Sequence, residues 1–188
     1  MSLALRTPHE GVDTSRFILR PLAMGDETLY SDIYCDPETM RHVGPHLSTE
    51  QAARSFRAAL RQTADPQAKV RFLVAVEKAT GIALGICGAT LGVPRLASAE
   101  IGIMLRGTAR GQGFSHEVLA QFIDYVFACC EVEQVWVRYA VEQAAVVLLN
   151  KGLGFVVSER LSPDDDARGS AYIRRDAWRG FVNSTNRG

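Results

Sequence analysis

Arg106, Arg110, Gly111 and Gly113 lie close together near the middle of the chain. They follow an apolar run that favours a β-strand, Ala99–Leu105, and precede a long pattern of apolar residues at helical spacing. The first backbone N–H groups of a helix have no partner inside it, and together with the helix dipole they attract anions. Glycine lets a phosphate approach the backbone, and arginine donates hydrogen bonds to phosphate oxygens. The segment is therefore predicted to bind a diphosphate.

Two common phosphate-binding motifs do not explain this turn. A P-loop requires G-x-x-x-x-G-K-[ST], and the turn contains no such lysine. A dinucleotide fingerprint requires G-x-G-x-x-G in the first βα unit and an acidic residue after the next strand, and neither is found. The alternative is a structural helix start whose glycines only turn the chain, and the residue types alone leave it open.

The four cysteines predict neither a metal site nor a covalent nucleophile. Cys35, Cys87, Cys129 and Cys130 form no C-x-x-C pair, and the last two lie within an apolar helical pattern. No cluster of histidines or carboxylates near them would complete a metal site. No cysteine or serine has a base beside it in the sequence that would activate it as a nucleophile. We expect buried, reduced thiols and no metal.

The elements around the turn predict one α/β domain with a mixed sheet. The runs that favour strands are Phe17–Arg20, Val70–Val76, Ile82–Leu91, Ala99–Leu105, Gln134–Val141, and a closing hairpin of Phe155–Arg160 and Ala171–Arg174 around a polar turn at Ser162–Gly169. Helical patterns begin at Asp26, at Ser48 and after Gly113, and a shorter one covers Ala144–Leu149. The tail after Phe181 has loop composition, so the ordered core is expected at about 14–181 of a single domain.

Composition and charge exclude several classes of protein. The chain has 188 residues, of which 47% are hydrophobic and 22% charged, as in a globular protein. Its 21 basic and 21 acidic side chains balance, so nucleic acid and anionic membranes are not expected as partners. No apolar segment is long enough to span a bilayer, and the first residues do not resemble a secretion signal. A cytoplasmic location is expected.

Arg110–Ser115, with the sequence RGQGFS, resembles the R-x-x-G-x-[GA] signature of the GNAT superfamily of acyl-CoA N-acyltransferases, with Ser115 where Gly or Ala is usual. Several further segments are similar to the RimJ/RimL-like branch: RFILRPL followed by Asp26, DPETMR at 36–41, EIGI at 100–103 and the Gly154-Phe155 pair. Because these pieces occur in the order and spacing of that branch, the chain is identified as a member.

The resemblance implies a mixed, mostly antiparallel sheet that is splayed at its fourth and fifth strands and flanked by helices. It implies an acetyl-CoA cosubstrate whose pantetheine follows the fourth strand and whose pyrophosphate lies on the turn. The implied cofactor-binding residues are Ile103, Met104, Leu105, Arg110, Gly111, Gln112, Gly113, Phe114, Ser115, Gln143 and Asn150. The expected reaction is direct attack of a primary amine on the thioester. A non-catalytic acyl-CoA-binding module is the alternative, and a homodimer stays open.

Three positions of the later helix depart from the family pattern. Gln143 stands where an asparagine that contacts the cofactor is usual, and Val146 stands where a serine is expected. Asn150 occupies the position at which related branches carry a tyrosine that protonates the departing thiolate. Valine has no proton to give, and an amide only donates hydrogen bonds, so the resemblance does not identify the general acid.

The resemblance also points to proton-transfer candidates. Glu100 is the candidate base, because related enzymes place a carboxylate on this strand, with a cross-strand ion pair or a rim carboxylate as the alternative. Tyr139, on the facing strand, is an alternative acid, although aromatic residues on strands more often pack. His42 and His46 lie in a loop that shapes the acceptor pocket in similar proteins.

The acceptor is predicted to be an α-amine. Direct attack needs a neutral amine, and an α-amine, with a pKa of about 7.7–8, is neutral far more often at pH 7 than an aliphatic amine with a pKa of about 10.4. The early loop is dominated by Arg41, His42 and His46, and it lacks the cluster of carboxylates that a polycation would need. We therefore expect a protein N-terminus or an amino-acid-like molecule, with a polyamine or an antibiotic amine as the alternative.

Overall fold

The apolar runs form a single eight-stranded sheet in the computed structural model, which describes residues 12–158 and 168–179. The strands are β1 (Val12–Asp13), β2 (Phe17–Pro21), β3 (Val70–Glu77), β4 (Ala83–Leu91), β5 (Ser98–Leu105), β6 (Gln134–Ala140), β7 (Val156–Val157) and β8 (Arg168–Arg174). Their order in the sheet is β1-β2-β3-β4-β5-β6-β8-β7, and every neighbouring pair is antiparallel except β5 and β6. The predicted mixed, mostly antiparallel sheet is confirmed.

Five α-helices lie within the described residues: α1 (Glu27–Tyr34), α2 (Pro37–Met40), α3 (Thr49–Ala64), α4 (Phe114–Cys129) and α5 (Ala144–Gly152). Two of the five, α2 and α3, begin at a side chain that accepts from free backbone N–H groups. Ser48 caps α3 in a reciprocal arrangement with Gln51. α1 ends at Tyr34, shortly before Asp36-Pro37, where the second helix begins. The Asp36 carboxylate accepts from two backbone N–H groups of α2, and a proline suits the first helical turn.

Two apolar cores hold the sheet between its helices. On one face α4 buries residues such as Leu119, Phe122 and Val126 in the cluster that contains Leu19 and Val135. On the other face α1 and α3 pack over β3 and β4, where the cluster includes Ile33, Phe56, Val74 and Ile86. Burial of each such side chain contributes roughly 1.5–3 kcal/mol. The turn that precedes α4 is consequently fixed at the carboxyl end of β5.

Among the described strands, only β5 and β6 pair in parallel, and they separate after three residues. β5 and β6 are in register from Ser98 opposite Gln134 to Glu100 opposite Trp136, and the pairing ends there. This is the splay that the family resemblance implies. The two strands are the fifth and sixth rather than the fourth and fifth because the two-residue strand β1 was not predicted from the sequence.

Two of the four cysteine thiols are buried, and their burial keeps them protonated. None of the four, all of which the structure describes, forms a disulfide; Cys87 and Cys130 are buried, whereas Cys35 and Cys129 are partly exposed. Burial raises the pKa of Cys87 to about 12. It is also the main reason that the pKa of Cys130 is raised to about 11. Both thiols therefore stay protonated near neutral pH.

Two further observations concern the residues that the structure describes. Within 12–158 and 168–179, no helix has both the length and the apolar character needed to cross a membrane. The same residues contain no group of three or more His, Cys, Asp and Glu side chains that could hold a metal ion. The tail after Phe181 and most of the predicted Ser162–Gly169 turn lie outside the described residues.

Candidate active site

A cavity of about 820 Å³ opens where β5 and β6 separate. Its walls come from β5, from β6, from α5, from the turn before α4, and from the residues in and after α2. Its volume lies within the range of small-molecule sites, roughly 300–1,000 Å³. Of the predicted site residues, those that line it are Glu100, Ile103, Met104, Leu105, Arg110, Gly111, Ser115, Tyr139, Gln143 and Asn150.

The glycines of the turn have backbone conformations that other residues rarely adopt. Gly111 and Gly113 have φ angles of 73° and 74°, and Gly113 directly precedes the first residue of α4. Apart from its neighbours in the chain, nothing lies within 4 Å of the position that a Cβ would occupy at either glycine. The turn therefore needs glycine for its shape and leaves open space beside the start of the helix, as close approach of a phosphate requires.

The two arginines of the turn contact the first helices. Arg110 lines the cavity, donates a hydrogen bond to Thr39 Oγ1 and lies 3.8 Å from an Asp36 carboxylate oxygen. Arg106 forms an ion pair with Asp32 of α1. The hydrogen bond from the Thr39 hydroxyl is the main reason that the pKa of Asp36 is lowered, and Arg110 adds to the effect. Arg110 is thus placed both at the turn and against the first turn of α2.

The backbone of β5 presents hydrogen-bonding groups to the cleft. The Arg106 N–H donates to the Leu84 carbonyl of β4, and the unbroken antiparallel register then places Met104 in the next bonded pair, opposite Ile86. Along a strand, the backbone N–H groups of successive residues point to opposite edges. The N–H groups of Ile103 and Leu105 therefore point away from β4, toward the side on which β6 has separated. An extended ligand with amide groups could pair with this edge as a strand would.

Asn150 of α5 carries a donor without a partner inside the described protein. The residue is 5% exposed and lines the cavity, yet its Nδ2 makes no hydrogen bond. An unsatisfied buried donor costs about 1–3 kcal/mol, and native structures contain few of them. The orphaned amide therefore indicates a ligand group that accepts from it.

Glu100 forms a cross-strand ion pair, which the sequence analysis gave as the alternative to a role as base. The Arg138 guanidinium donates from Nε to a Glu100 carboxylate oxygen at 2.8 Å, across the parallel strands. Both side chains line the cavity, and the Glu100 carboxylate is 23% exposed. The carboxylate therefore faces the cleft with one of its oxygens already engaged.

Three of the predicted cofactor-binding residues do not line the cavity with their side chains. Phe114 packs edge-to-face on Phe17, with ring centroids 5.2 Å apart. The Gln112 side chain bends back and donates to the Thr108 carbonyl at 2.8 Å. Gly113 has no side chain. If these residues contact a ligand, they do so through the backbone N–H groups at the start of α4.

The loop after α2 reaches over the cavity and contacts the other side. Nδ1 of His42 lies 3.1 Å from a carboxylate oxygen of Glu142, and Arg168 donates to the Val43 carbonyl at 2.9 Å. His42, Val43 and Arg168 all line the cavity. Sequence reasoning placed His42 near the acceptor but missed both partners, because they are 100 and 125 residues from the residues they contact.

Comparison with known families identifies the family of this chain. Residues 16–156, about three quarters of the chain, match the model of the acetyltransferase (GNAT) domain. The chain belongs to the GNAT family. The matched range contains β2 to β6, the turn, α4, α5 and the first residue of β7, and thus nearly every wall of the cavity. The GNAT protein is accordingly an acyl-CoA-dependent N-acetyltransferase.

Solved structures of other acetyltransferases share the fold at low sequence identity. A spermidine N-acetyltransferase from Vibrio cholerae, in complex with CoA and spermine, is 19% identical with a TM-score of 0.75; the match covers 88% of this chain and 99% of that one. An acetyltransferase from Agrobacterium tumefaciens is 20% identical, with a TM-score of 0.73 and coverage of 88% and 94%. RimL, a ribosomal L7/L12 α-N-protein acetyltransferase in complex with CoA, is 12% identical with a TM-score of 0.73; the match covers 89% of this chain and 99% of that one. No curated protein matches in sequence.

Proposed function

We propose that this GNAT protein transfers the acetyl group of acetyl-CoA to an α-amine, either a peptide N-terminus or an amino-acid-like molecule. The observation that supports acetyl-CoA best is the single cavity that joins the Arg110–Ser115 turn, the open edge of β5 and the orphaned amide of Asn150. Each of these three features offers hydrogen-bond donors, and a different part of the cosubstrate has acceptors for each of them.

The parts of the cavity fit the parts of acetyl-CoA. The turn, with the free N–H groups of α4 and the Arg110 guanidinium, would hold the pyrophosphate. The N–H groups of Ile103 and Leu105 would pair with the pantetheine amides, and the Asn150 amide would donate to an acceptor atom of the same arm. Gln143, which lines the cavity at the start of α5, would contribute a further amide.

The reaction follows from direct attack. The acceptor nitrogen forms a bond to the thioester carbonyl carbon while the carbon–sulfur bond breaks, so the nitrogen must be neutral when it attacks. The candidates for base and acid that the sequence suggested, Glu100 and Tyr139, both line the cavity; one Glu100 oxygen is held by Arg138, and Tyr139 is buried against Gly169. Neither role requires a covalent enzyme intermediate.

The charges around the cavity support an α-amine over a polycation. The charged side chains that line it, in the described part of the chain, are Glu38, Glu100, Arg110, Arg138 and Arg168. Glu100 is paired with Arg138, and Glu38 lies 3.4 Å from Arg41. A polyamine needs several carboxylates for its ammonium groups, whereas an amino acid or a peptide also offers carbonyl or carboxylate oxygens that arginines bind well.

A panel of amines tests the proposal. Release of free CoA is measured with acetyl-CoA and three acceptors: a short peptide with a free N-terminus, the same peptide N-blocked but carrying a lysine, and spermidine. We expect the free N-terminus to be acetylated fastest. A higher kcat/KM for spermidine would identify a polyamine acetyltransferase, and binding of CoA without turnover of any amine would identify a non-catalytic module.

A further inference from the structure

His42, which lines the cavity, and Glu142 form an imidazole–carboxylate pair. The pair joins the loop after α2 to the turn between β6 and α5, with Nδ1 of His42 at 3.1 Å from Glu142 Oε1. The imidazole lines the cavity and its side chain is 27% exposed, whereas the Glu142 side chain is 61% exposed. The carboxylate thus approaches from the solvent side of a ring that faces the cleft.

The loop does not depend on this pair for its shape. The Val43 and Gly44 N–H groups donate to the Met40 carbonyl, and the Leu47 N–H donates to the Tyr34 carbonyl at 2.8 Å. Arg168 holds the Val43 carbonyl from the other side of the cavity. Since the backbone of the loop is held by four other hydrogen bonds, fixing the loop does not explain why an imidazole and a carboxylate meet here.

The pair has the geometry of an oriented base. A carboxylate that accepts from Nδ1–H fixes the tautomer in which Nε2 carries a lone pair. His42 makes no other hydrogen bond within the described residues, so Nε2 keeps that lone pair. Histidine takes and gives a proton near neutral pH more readily than any other side chain. Glu100, by contrast, has an oxygen engaged by Arg138.

We propose that His42 is the general base that deprotonates the acceptor amine, and that Glu142 is its positioning residue; the assignment rests on the proposed function. The lone pair of the acceptor nitrogen forms the bond to the thioester carbonyl carbon, the carbon–sulfur bond breaks with its electrons on sulfur, and a proton of the amine passes to His42 Nε2. The imidazolium then releases this proton to water, and water returns one to the departing thiolate.

Several charged groups lie around the imidazole. Those that line the same cavity or contact the ring are Glu38 of α2, Glu100 of β5, Arg138 of β6, Arg168 of β8, Arg110 of the turn, and Glu142 itself. Since Glu142 is the one in direct contact with the ring, it is the group that can orient the imidazole.

The test compares His42→Gln with His46→Gln, using the best acceptor from the panel. His46 is in the same loop but is exposed and does not line the cavity, so it is a matched control. We expect His42→Gln to lower kcat by about 10²-fold or more with the Kd for acetyl-CoA unchanged, because a positioned base contributes roughly 10²–10⁴-fold. His46→Gln should keep the parental rate. Added imidazole should partly restore turnover in His42→Ala.

Glu142→Gln tests the positioning role. We expect a loss of about tenfold in the parent and no further loss in the His42→Gln background, since the two residues act as one unit. Parental turnover in His42→Gln, or a rise in KM at constant kcat, would overturn the assignment to His42. A loss of 10²-fold or more in Glu100→Gln alone would place the base there instead. If the parent acetylates no amine, the proposed function itself fails.

Discussion

Asn150 illustrates how one residue reveals a ligand. Its amide nitrogen is buried without a partner in the described residues, and that arrangement costs free energy which an apolar side chain of similar shape would not. We expect Asn150→Leu to unfold at the same or a higher temperature than the parent while its Kd for CoA rises about tenfold, the loss of one hydrogen bond of roughly 1.4 kcal/mol. Thermal unfolding and calorimetry with CoA measure the two effects. Unchanged CoA affinity would show that the amide does not contact the cosubstrate.

A substitution at Gly113 affects both phosphate binding and backbone strain, and a control at Gly81 distinguishes the two effects. Gly81, in the turn between β3 and β4, has φ 70° against 74° for Gly113, and both positions are open to a side chain. Valine at either position should destabilise the protein by roughly 1–2 kcal/mol through the left-handed conformation. Gly113→Val alone should abolish CoA binding in calorimetry, because its side chain occupies the phosphate approach. Equal CoA affinity in both variants would place the pyrophosphate elsewhere.

At the scale of elements, one carboxylate fastens the start of α4 to the chain before β2. Glu117 accepts from the Thr14 and Ser15 hydroxyls, from the Arg16 backbone N–H and from the Arg16 guanidinium. Burial acts to raise the pKa of Glu117, but these hydrogen bonds, led by that of Arg16, outweigh it, and the net effect is a lowered pKa.

Glu117→Gln should therefore destabilise the protein in a pH-dependent way. A lowered pKa in the folded state stabilises the protein above the unfolded pKa of about 4.3, and this stabilisation is lost as the pH falls through the folded value. We expect a cost of about 1–3 kcal/mol at pH 7, since hydrogen bonds to a charged group are lost, and a smaller cost below pH 4. Urea unfolding at both pH values measures it, with the exposed Glu131 as the control site for the same substitution. A cost that does not depend on pH would contradict this account.

Local patterns predicted the elements well and their contacts poorly. Ser48 capped α3 as expected, because a cap involves residues only three apart. The two-residue strand β1 has too little sequence to produce a pattern and exists only because Val12 pairs with Leu19. The turn was predicted because strand, glycines and helix are consecutive. Glu100 could not be assigned from sequence, because Arg138 reaches it only through the parallel pairing of β5 and β6.

On the scale of the whole molecule, the two halves of the sheet meet through few strand contacts. Three residue pairs join β5 to β6, whereas seven join β4 to β5 and seven join β6 to β8. The apolar cluster under α4, which contains residues of both β5 and β6, supplies the rest of the connection. The cavity can therefore pass between the halves while the core beneath it stays closed.

The separation of β5 from β6 has a consequence for hydrogen–deuterium exchange. Met104 donates its N–H to β4, so its amide should exchange slowly, whereas the amides of Ile103 and Leu105 face the cleft and should exchange faster. Added CoA should slow Ile103 and Leu105 and leave Met104 almost unchanged, because pantetheine would take the place of the missing strand. Amide-resolved exchange by NMR measures this alternation. Equal protection of the three amides before CoA is added would mean that the cleft is closed in solution, and the cosubstrate would then have to open the sheet in order to bind.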